Sequence, residues 1–184
     1  MSKIDPNEKR PFIPVGIAVM TVSDTRTLED DRSGDTLVKR IETSGHKVLD
    51  RVIVRDEVDE IQAQVKAWIK AKEIDVIIST GGTGLTGRDI TPEAMRPLFE
   101  KEIEGFAIMF QRISYDKIGL SAIQSRALGG VAYGTYIFAL PGSTGACKDG
   151  WDGILEPQLD YRTLPCNFVE IMPRLDEHLK RNKG

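Results

Sequence analysis

The stretch EIDVIISTGGTGLTGRDITPEAM, residues 73–95, decides the fold. An apolar, β-branched run ends at Ser79, and Gly81, Gly82, Gly84 and Gly87 follow it closely. Ordering glycine is entropically costly. Such a cluster means that the backbone takes positive φ or comes very close to something. Thr91-Pro92-Glu93 then opens a helix, with a capping hydroxyl, a proline at the first helical position and an acid near the positive end. The unit is strand, glycine loop, helix.

Two familiar phosphate loops are near misses. GTGLTG (82–87) matches G-x-G-x-x-G, but a dinucleotide fold puts that loop after its first strand. In this chain it follows the third strand, and Glu100, Glu102 and Glu104 stand in a helical stretch, the wrong setting for a ribose-binding acid. The same residues have the G-x-x-x-x-G spacing of a P-loop, yet Arg88-Asp89 stands where Lys and Ser/Thr are needed. Aspartate has no hydroxyl to give magnesium, although its carboxylate can bind the ion directly. Taken alone, the loop reads as a tight connection that Asp89 helps to close.

Outward from this unit, strands alternate with helices. FIPVGIAVMTV (12–22), KVLDRVIV (47–54) and IDVIIS (74–79) read as strands. A helix runs from Arg32 with Leu37, Val38 and Ile41 on one face, and Ser44-Gly45 stops it. The clearest helix is 56–73, where Val58, Ile61, Val65, Trp68 and Ile69 form a stripe, with acids in the first turn and lysines in the last. Ile103, Phe106, Phe110 and Ile113 form another stripe, either core or subunit contact. GGVAYGTYIFAL (129–140) reads as a hairpin turning at Tyr133-Gly134-Thr135, and a final amphipathic helix is expected from about Leu164 to Leu179. This order predicts an α/β domain with a mostly parallel sheet. One domain is expected over residues 12–179, between a flexible arm (1–11) and a loose tail (180–184).

Composition sets bounds. The 184 residues carry 40% hydrophobic and 29% charged side chains, ordinary for a globular protein. A net charge of −3 argues against broad nucleic-acid or polybasic membrane binding, so an anionic ligand would need local groups to hold it. Cys147 and Cys166 are expected as small buried hydrophobes, and His46 and His178 join no Cys/His cluster, so no zinc site is expected. The amino terminus shows no apolar signal core and no stretch reaches membrane-spanning length, which makes the cytoplasm the default expectation.

Ligands of open parallel sheets bind outside the carboxyl ends of the strands. The expected ends are Ser23-Asp24-Thr25, Arg55-Asp56-Glu57, Ser79-Thr80-Gly81-Gly82 and Pro141-Gly142-Ser143-Thr144. Two are glycine-rich and lead into helix amino termini, which suit phosphate. The others add carboxylates, so the crevice suits a magnesium nucleotide or a phosphorylated small molecule. Asp24 is also a natural turn residue, and Asp56 stands where a helix cap belongs.

At these same residues the chain resembles the molybdopterin-binding domain of molybdenum cofactor biosynthesis proteins. The resemblance rests on TVSDT (21–25), STGGTGLTGRDITPEA (79–94), Ser125-Arg126 and LPGS (140–143), and covers about residues 12–172. It implies a three-layer α/β sandwich with a small β-hairpin, assembled as trimers or paired trimers. The implied ligand is molybdopterin, a pterin with a dithiolene and a terminal phosphate, and the implied reaction is AMP transfer from Mg-ATP to that phosphate. Asp56 and Asp89 match the catalytic pair, holding magnesium through the nucleotide. Ser125 matches the pterin-phosphate site, with Arg126 beside it. Ser23, Asp24, Thr80, Gly81, Gly82, Thr83, Gly84, Pro141, Gly142 and Ser143 make up the rest of the pocket. Other cofactor-biosynthesis proteins are the implied partners. Adenylylating members tend to carry Asn-Pro or Gln-Pro after the Pro-Gly of the second loop, where this chain has Ser143-Thr144. That leaves open a non-catalytic pterin-binding or scaffolding protein, and a generic magnesium-nucleotide binder is a third reading.

Overall fold

A computed structural model describes residues 9–181. The strands are β1 (Gly16–Val22), β2 (Lys47–Val54), β3 (Val76–Thr80), β4 (Lys101–Glu102), β5 (Leu128–Ala132) and β6 (Thr135–Leu140). They form one sheet in the order β2-β1-β3-β6-β5-β4. The neighbours from β2 to β6 are parallel, and β5 returns antiparallel to both β6 and β4. The hairpin at Tyr133-Gly134 is present, and the fold is the expected α/β architecture.

Helices cover both faces: α1 (Arg32–Thr43), α2 (Val58–Lys70), α3 (Thr91–Met95), α4 (Glu104–Ile118) and α5 (Thr144–Gly150). The last continues through a π-helical turn, Trp151–Leu155, into α6 (Glu156–Leu159), and the chain ends with α7 (Phe168–Ile171) and α8 (Glu177–Arg181). Alternation along the central strands sorts the core into two layers. Ile17, Val19, Ile78 and Phe138 face α1, α4 and α5. Ala18, Met20, Ile77 and Ile137 face α2 and α3. Each aliphatic side chain buried this way contributes about 1.5–3 kcal/mol against the cost of chain ordering.

Several expectations need correction. The first strand begins at Gly16, not Phe12. Val58 heads its helix but is exposed, while Ile61, Val65 and Trp68 are buried. In the stripe of Ile103, Phe106, Phe110 and Ile113, the two phenylalanines are buried in the core and the two isoleucines pack against it half-buried. Cys147 is buried but Cys166 is exposed. The expected helix over 164–179 is broken: Asn167 caps the short α7, and Pro173 falls in a separate 3₁₀ turn. Of the expected arm, residues 9–11 are described, and Arg10 is anchored by Glu170 at 3.1 Å and lies over the Tyr161 ring. Residues 1–8 of the arm and 182–184 of the tail lie outside the described residues.

Candidate functional site

The parallel strands β2, β1, β3 and β6 release their loops at one edge, which brings together Asp56, Asp24, the glycine loop and Pro141-Gly142 in that order. The glycine loop is built by its own backbone. Gly81 and Gly82 have φ of 104° and 63°, in the left-handed region that side chains disfavour. A Cβ on Gly81 would lie 2.3 Å from the Val22 carbonyl oxygen, and one on Gly82 would lie 2.3 Å from the Thr91 hydroxyl. Thr91 does not cap α3 with its side chain. It donates to the Gly81 carbonyl at 2.9 Å and so ties the loop to the helix.

Asp89 closes the loop. Its carboxylate accepts from the Thr86 amide at 2.9 Å and the Thr86 hydroxyl at 2.6 Å. These bonds, opposed by burial and helped by the Gly84 amide and the Arg126 charge, hold its carboxyl below the ordinary aspartate range. Arg126 clamps the same loop from outside: it donates to the Gly84 carbonyl at 2.8 Å and the Asp89 carbonyl at 2.7 Å, and pairs with Glu93. Its guanidinium therefore positions the loop. Thr80, Gly81 and Thr83 are buried beneath the crevice and support it; the Thr80 hydroxyl donates to the Pro141 carbonyl at 3.0 Å.

Asp56 is different. It is half-buried, in no ion pair among the described residues, and does not cap α2, whose cap position is Glu57. One carboxylate oxygen lies 2.9 Å from where a Gly82 Cβ would stand. Burial, joined by the charges of Asp24 and Asp89, pushes its carboxyl above the ordinary range, against the pull of Arg88. Asp24 is no simple turn residue. It accepts the Asp56 amide at 3.2 Å and both prongs of Arg88 at 2.9 Å. The Arg88 hydrogen bonds hold the Asp24 carboxyl low.

Ser125 follows a 3₁₀ segment, Gly119–Gln124, and its neighbour Arg126 bonds the Thr83 carbonyl through its amide at 3.1 Å. The Ser125 hydroxyl is buried without a hydrogen-bond partner among the described residues. Ser23 shapes the β1 loop by accepting the amides of Thr25 and Arg26, and Ser143 caps α5 by accepting the Ala146 amide at 3.1 Å. Arg26, which sequence patterns do not single out, joins the β1 loop to the second glycine loop. It donates to Ser33 at 2.7 Å and to the Gly142 carbonyl at 3.3 Å. The only local signal is a cation just after a polar turn; its partner lies far along the chain.

A cleft of about 550 Å³ adjoins this edge, bounded by Ser23, Asp24, Arg26, Val54, Arg55 and Glu60. A larger one of about 750 Å³ lies at the opposite end of the strands, between Pro14, Ile74, Gly134 and Met172. The first takes in Ser23 and Asp24 at the carboxyl end of β1; the second is also lined by charged groups, among them Lys70, Lys72 and Asp75. Among the described residues no helix is long and apolar enough to cross a membrane.

The sequence matches the profile of a family described as a probable molybdopterin binding domain over residues 18–161. It is 52% identical over 157 residues to molybdenum cofactor biosynthesis protein B of Escherichia coli K12, covering 85% of this chain and 92% of that protein. The protein of that name from Staphylococcus epidermidis is 40% identical over 158 residues, covering 84% and 90%. A crystal structure of molybdenum cofactor biosynthesis protein B superposes with a TM-score of 0.82 at 37% identity, over 91% of this chain and 99% of that one. The tungsten cofactor synthesizing protein MoaB from Pyrococcus furiosus superposes with a TM-score of 0.74 at 30% identity, over 89% and 98%. Motifs, fold and relatives agree: this chain belongs to the molybdopterin-binding domain family of molybdenum cofactor biosynthesis proteins.

Proposed function

We propose that this protein acts in molybdenum cofactor biosynthesis, binding molybdopterin at the edge where β1, β3 and β6 end and transferring AMP from Mg-ATP to its terminal phosphate. The observation that carries the reading is the Ser125 hydroxyl, buried beside the glycine loop with no hydrogen-bond partner among the described residues. A buried polar group left unpaired costs about 1–3 kcal/mol, and an arriving phosphate oxygen would relieve that cost.

Adenylyl transfer brings an anionic phosphate against the α-phosphorus of ATP, so charge neutralisation governs the barrier. Asp56 and Asp89 would hold magnesium, and their chemistry fits: hard oxygen donors, one with its charge disfavoured by burial and by Asp24 and Asp89 and so relieved by a cation. Among the described residues no group of three or more His, Cys, Asp or Glu side chains is placed to hold a metal alone, so the nucleotide phosphates would complete its coordination. The ion would draw charge off the leaving pyrophosphate. Arg126 and Thr91 would keep the loop amides in place while phosphate binds.

The test is direct. Purified protein with molybdopterin and Mg-ATP should form the adenylylated pterin and release pyrophosphate. Failure at saturating pterin would favour the second reading, a non-catalytic pterin-binding or scaffolding protein. One observation supports that alternative: the Asp89 carboxylate is already engaged by loop donors.

The assembly belongs to the same proposal. A homotrimer or pair of trimers would use the apolar face where α4 runs into the 3₁₀ segment Gly119–Gln124, at which Ile118, Leu120 and Ile123 are 58%, 79% and 77% exposed. The protein would work in the cytoplasm beside other cofactor-biosynthesis proteins.

A further inference from the structure

Four arginines surround the crevice, and three are committed elsewhere. Arg126 is spent on loop carbonyls and Glu93, Arg26 on Ser33 and the Gly142 carbonyl, and Arg55 on Glu60. Arg88 stands on the exposed tip of the glycine loop and reaches over to the ends of the other strands. It makes a forked pair with Asp24, Nε to Oδ2 and Nη2 to Oδ1 both at 2.9 Å, and donates twice to Glu57 at 3.1 Å. Asp24 in turn accepts the Asp56 amide. One side chain thus straps together β1, β2 and the β3 loop above Asp56.

Both ends of this strap lie near the surface, with Arg88 58% and Asp24 35% exposed, so breaking it strands no buried charge. The contrast with Arg26 decides the choice, because Arg26 lies against the fully buried Asp31. We propose that Arg88 is an exchangeable counter-ion and positioning residue: without ligand it neutralises Asp24 and Glu57, and a divalent cation arriving with a nucleotide at the neighbouring Asp56 and Asp89 takes over the neutralisation of these carboxylates and releases the guanidinium to the phosphates. A guanidinium fork suits a carboxylate and a phosphate oxygen pair equally well, so the same geometry serves both partners. This rests on the proposed use of Mg-ATP and adds a role for Arg88 that the aspartate pair does not supply.

The exchange predicts effects of opposite sign. Arg88→Gln should bind Mn²⁺ alone about two- to fivefold more tightly, because the ion no longer competes with an ion pair. The same variant should bind magnesium with α,β-methylene-ATP, which cannot lose pyrophosphate, about tenfold more weakly. Arg88→Lys, with charge but no fork, should fall between. Both affinities are read by calorimetry, with the melting temperature as a control for folding. Weakening of both ligands together, or no change in either, would overturn the exchange and leave a structural ion pair. Wild type that binds the nucleotide, with an Arg88→Gln variant of equal affinity, sinks the arm alone. Wild type that binds no nucleotide sinks both the arm and the adenylyl-transfer reading.

Discussion

A Cβ built on Gly142 would stand 3.2 Å from the Cα of Gly81, so the loops ending β3 and β6 meet backbone to backbone. The two glycine loops are therefore one structure, and substitution in either moves the other. Gly81→Ala faces both a φ of 104° and the Val22 carbonyl at 2.3 Å. It should destabilise the fold by about 2–4 kcal/mol in urea titration. Gly82 is little better placed. Gly87 is the useful probe, because a Cβ there meets nothing within 4 Å. Gly87→Ala should leave stability within about 0.5 kcal/mol. If it nevertheless weakens pterin or nucleotide binding, the open face of the loop is kept clear for ligand.

Ser125→Ala separates fold from function. Its hydroxyl is buried without a partner among the described residues, so removing it should leave stability equal or raise it by up to about 1 kcal/mol. Molybdopterin affinity should fall by about tenfold or more, the worth of a hydrogen bond to a charged group. Equal affinity in variant and wild type would remove Ser125 from the ligand site.

The strands β1, β3 and β6 were legible because each is an apolar run buried on both faces, and the polar residues after them mark the edge where ligands gather. The carboxyl-terminal helix was misread because its apolar spacing is helical while Asn167 and Pro173 break the chain into short turns. Side-chain roles needed distance as well as pattern. Ser125 and Asp56 are distinguished by what they lack, a hydroxyl partner and an ion pair, and no motif reports such an absence. Arg126 stands beside Ser125 in the sequence, but its bonds to the Gly84 and Asp89 carbonyls join residues about forty positions apart, which no local pattern reports.

Two buried groups should contribute to the loss of stability in acid. Burial holds His46 below its ordinary value of 6.5. The unfolded chain therefore takes up this proton first, and the stability present above about pH 6.5 is lost as pH falls toward the folded value. At Asp31 burial alone would raise the carboxyl, but bonds from Thr21, Gly34, Arg51 and Ser33 outweigh it and hold it below 3.8. Its contribution is intact above that value and lost below it. Melting temperature should decline in two steps, one below about pH 6.5 and one below about pH 4. His46→Gln should flatten the first step, and a single decline in wild type would refute the assignment.

The apolar 3₁₀ segment after α4 tests the assembly. Leu120→Asp with Ile123→Asp places two charges on a face that is already solvent-exposed in the single chain, so folding should survive. Light scattering should show trimers or hexamers for wild type and monomers for the double variant. A stable wild-type monomer at micromolar concentration would remove the oligomer from the proposal.

Asp56 and Asp89 differ in what they do for the fold, and the difference distinguishes catalyst from binder. Asp89 holds the loop through Thr86 in the protein itself, so Asp89→Ala should cost about 1–2 kcal/mol of stability and loosen the loop. Asp89→Asn keeps a carbonyl oxygen as acceptor and should recover most of that stability. Asp56 carries a charge that its burial and Asp24 disfavour, so the near-isosteric Asp56→Asn should be neutral or slightly stabilising at neutral pH. Its folded carboxyl is raised, so the wild-type penalty is present above the folded value and relieved as pH falls through it. If the pair holds magnesium on ATP, Asp56→Asn and Asp89→Asn should each lower AMP transfer by about a hundredfold or more while pterin affinity stays within about twofold. The double variant should be scarcely worse than either single one, because the two carboxylates act on one ion. Full transfer activity in a stable Asp56→Asn variant would remove Asp56 from the chemistry and leave its strained carboxylate without a catalytic role.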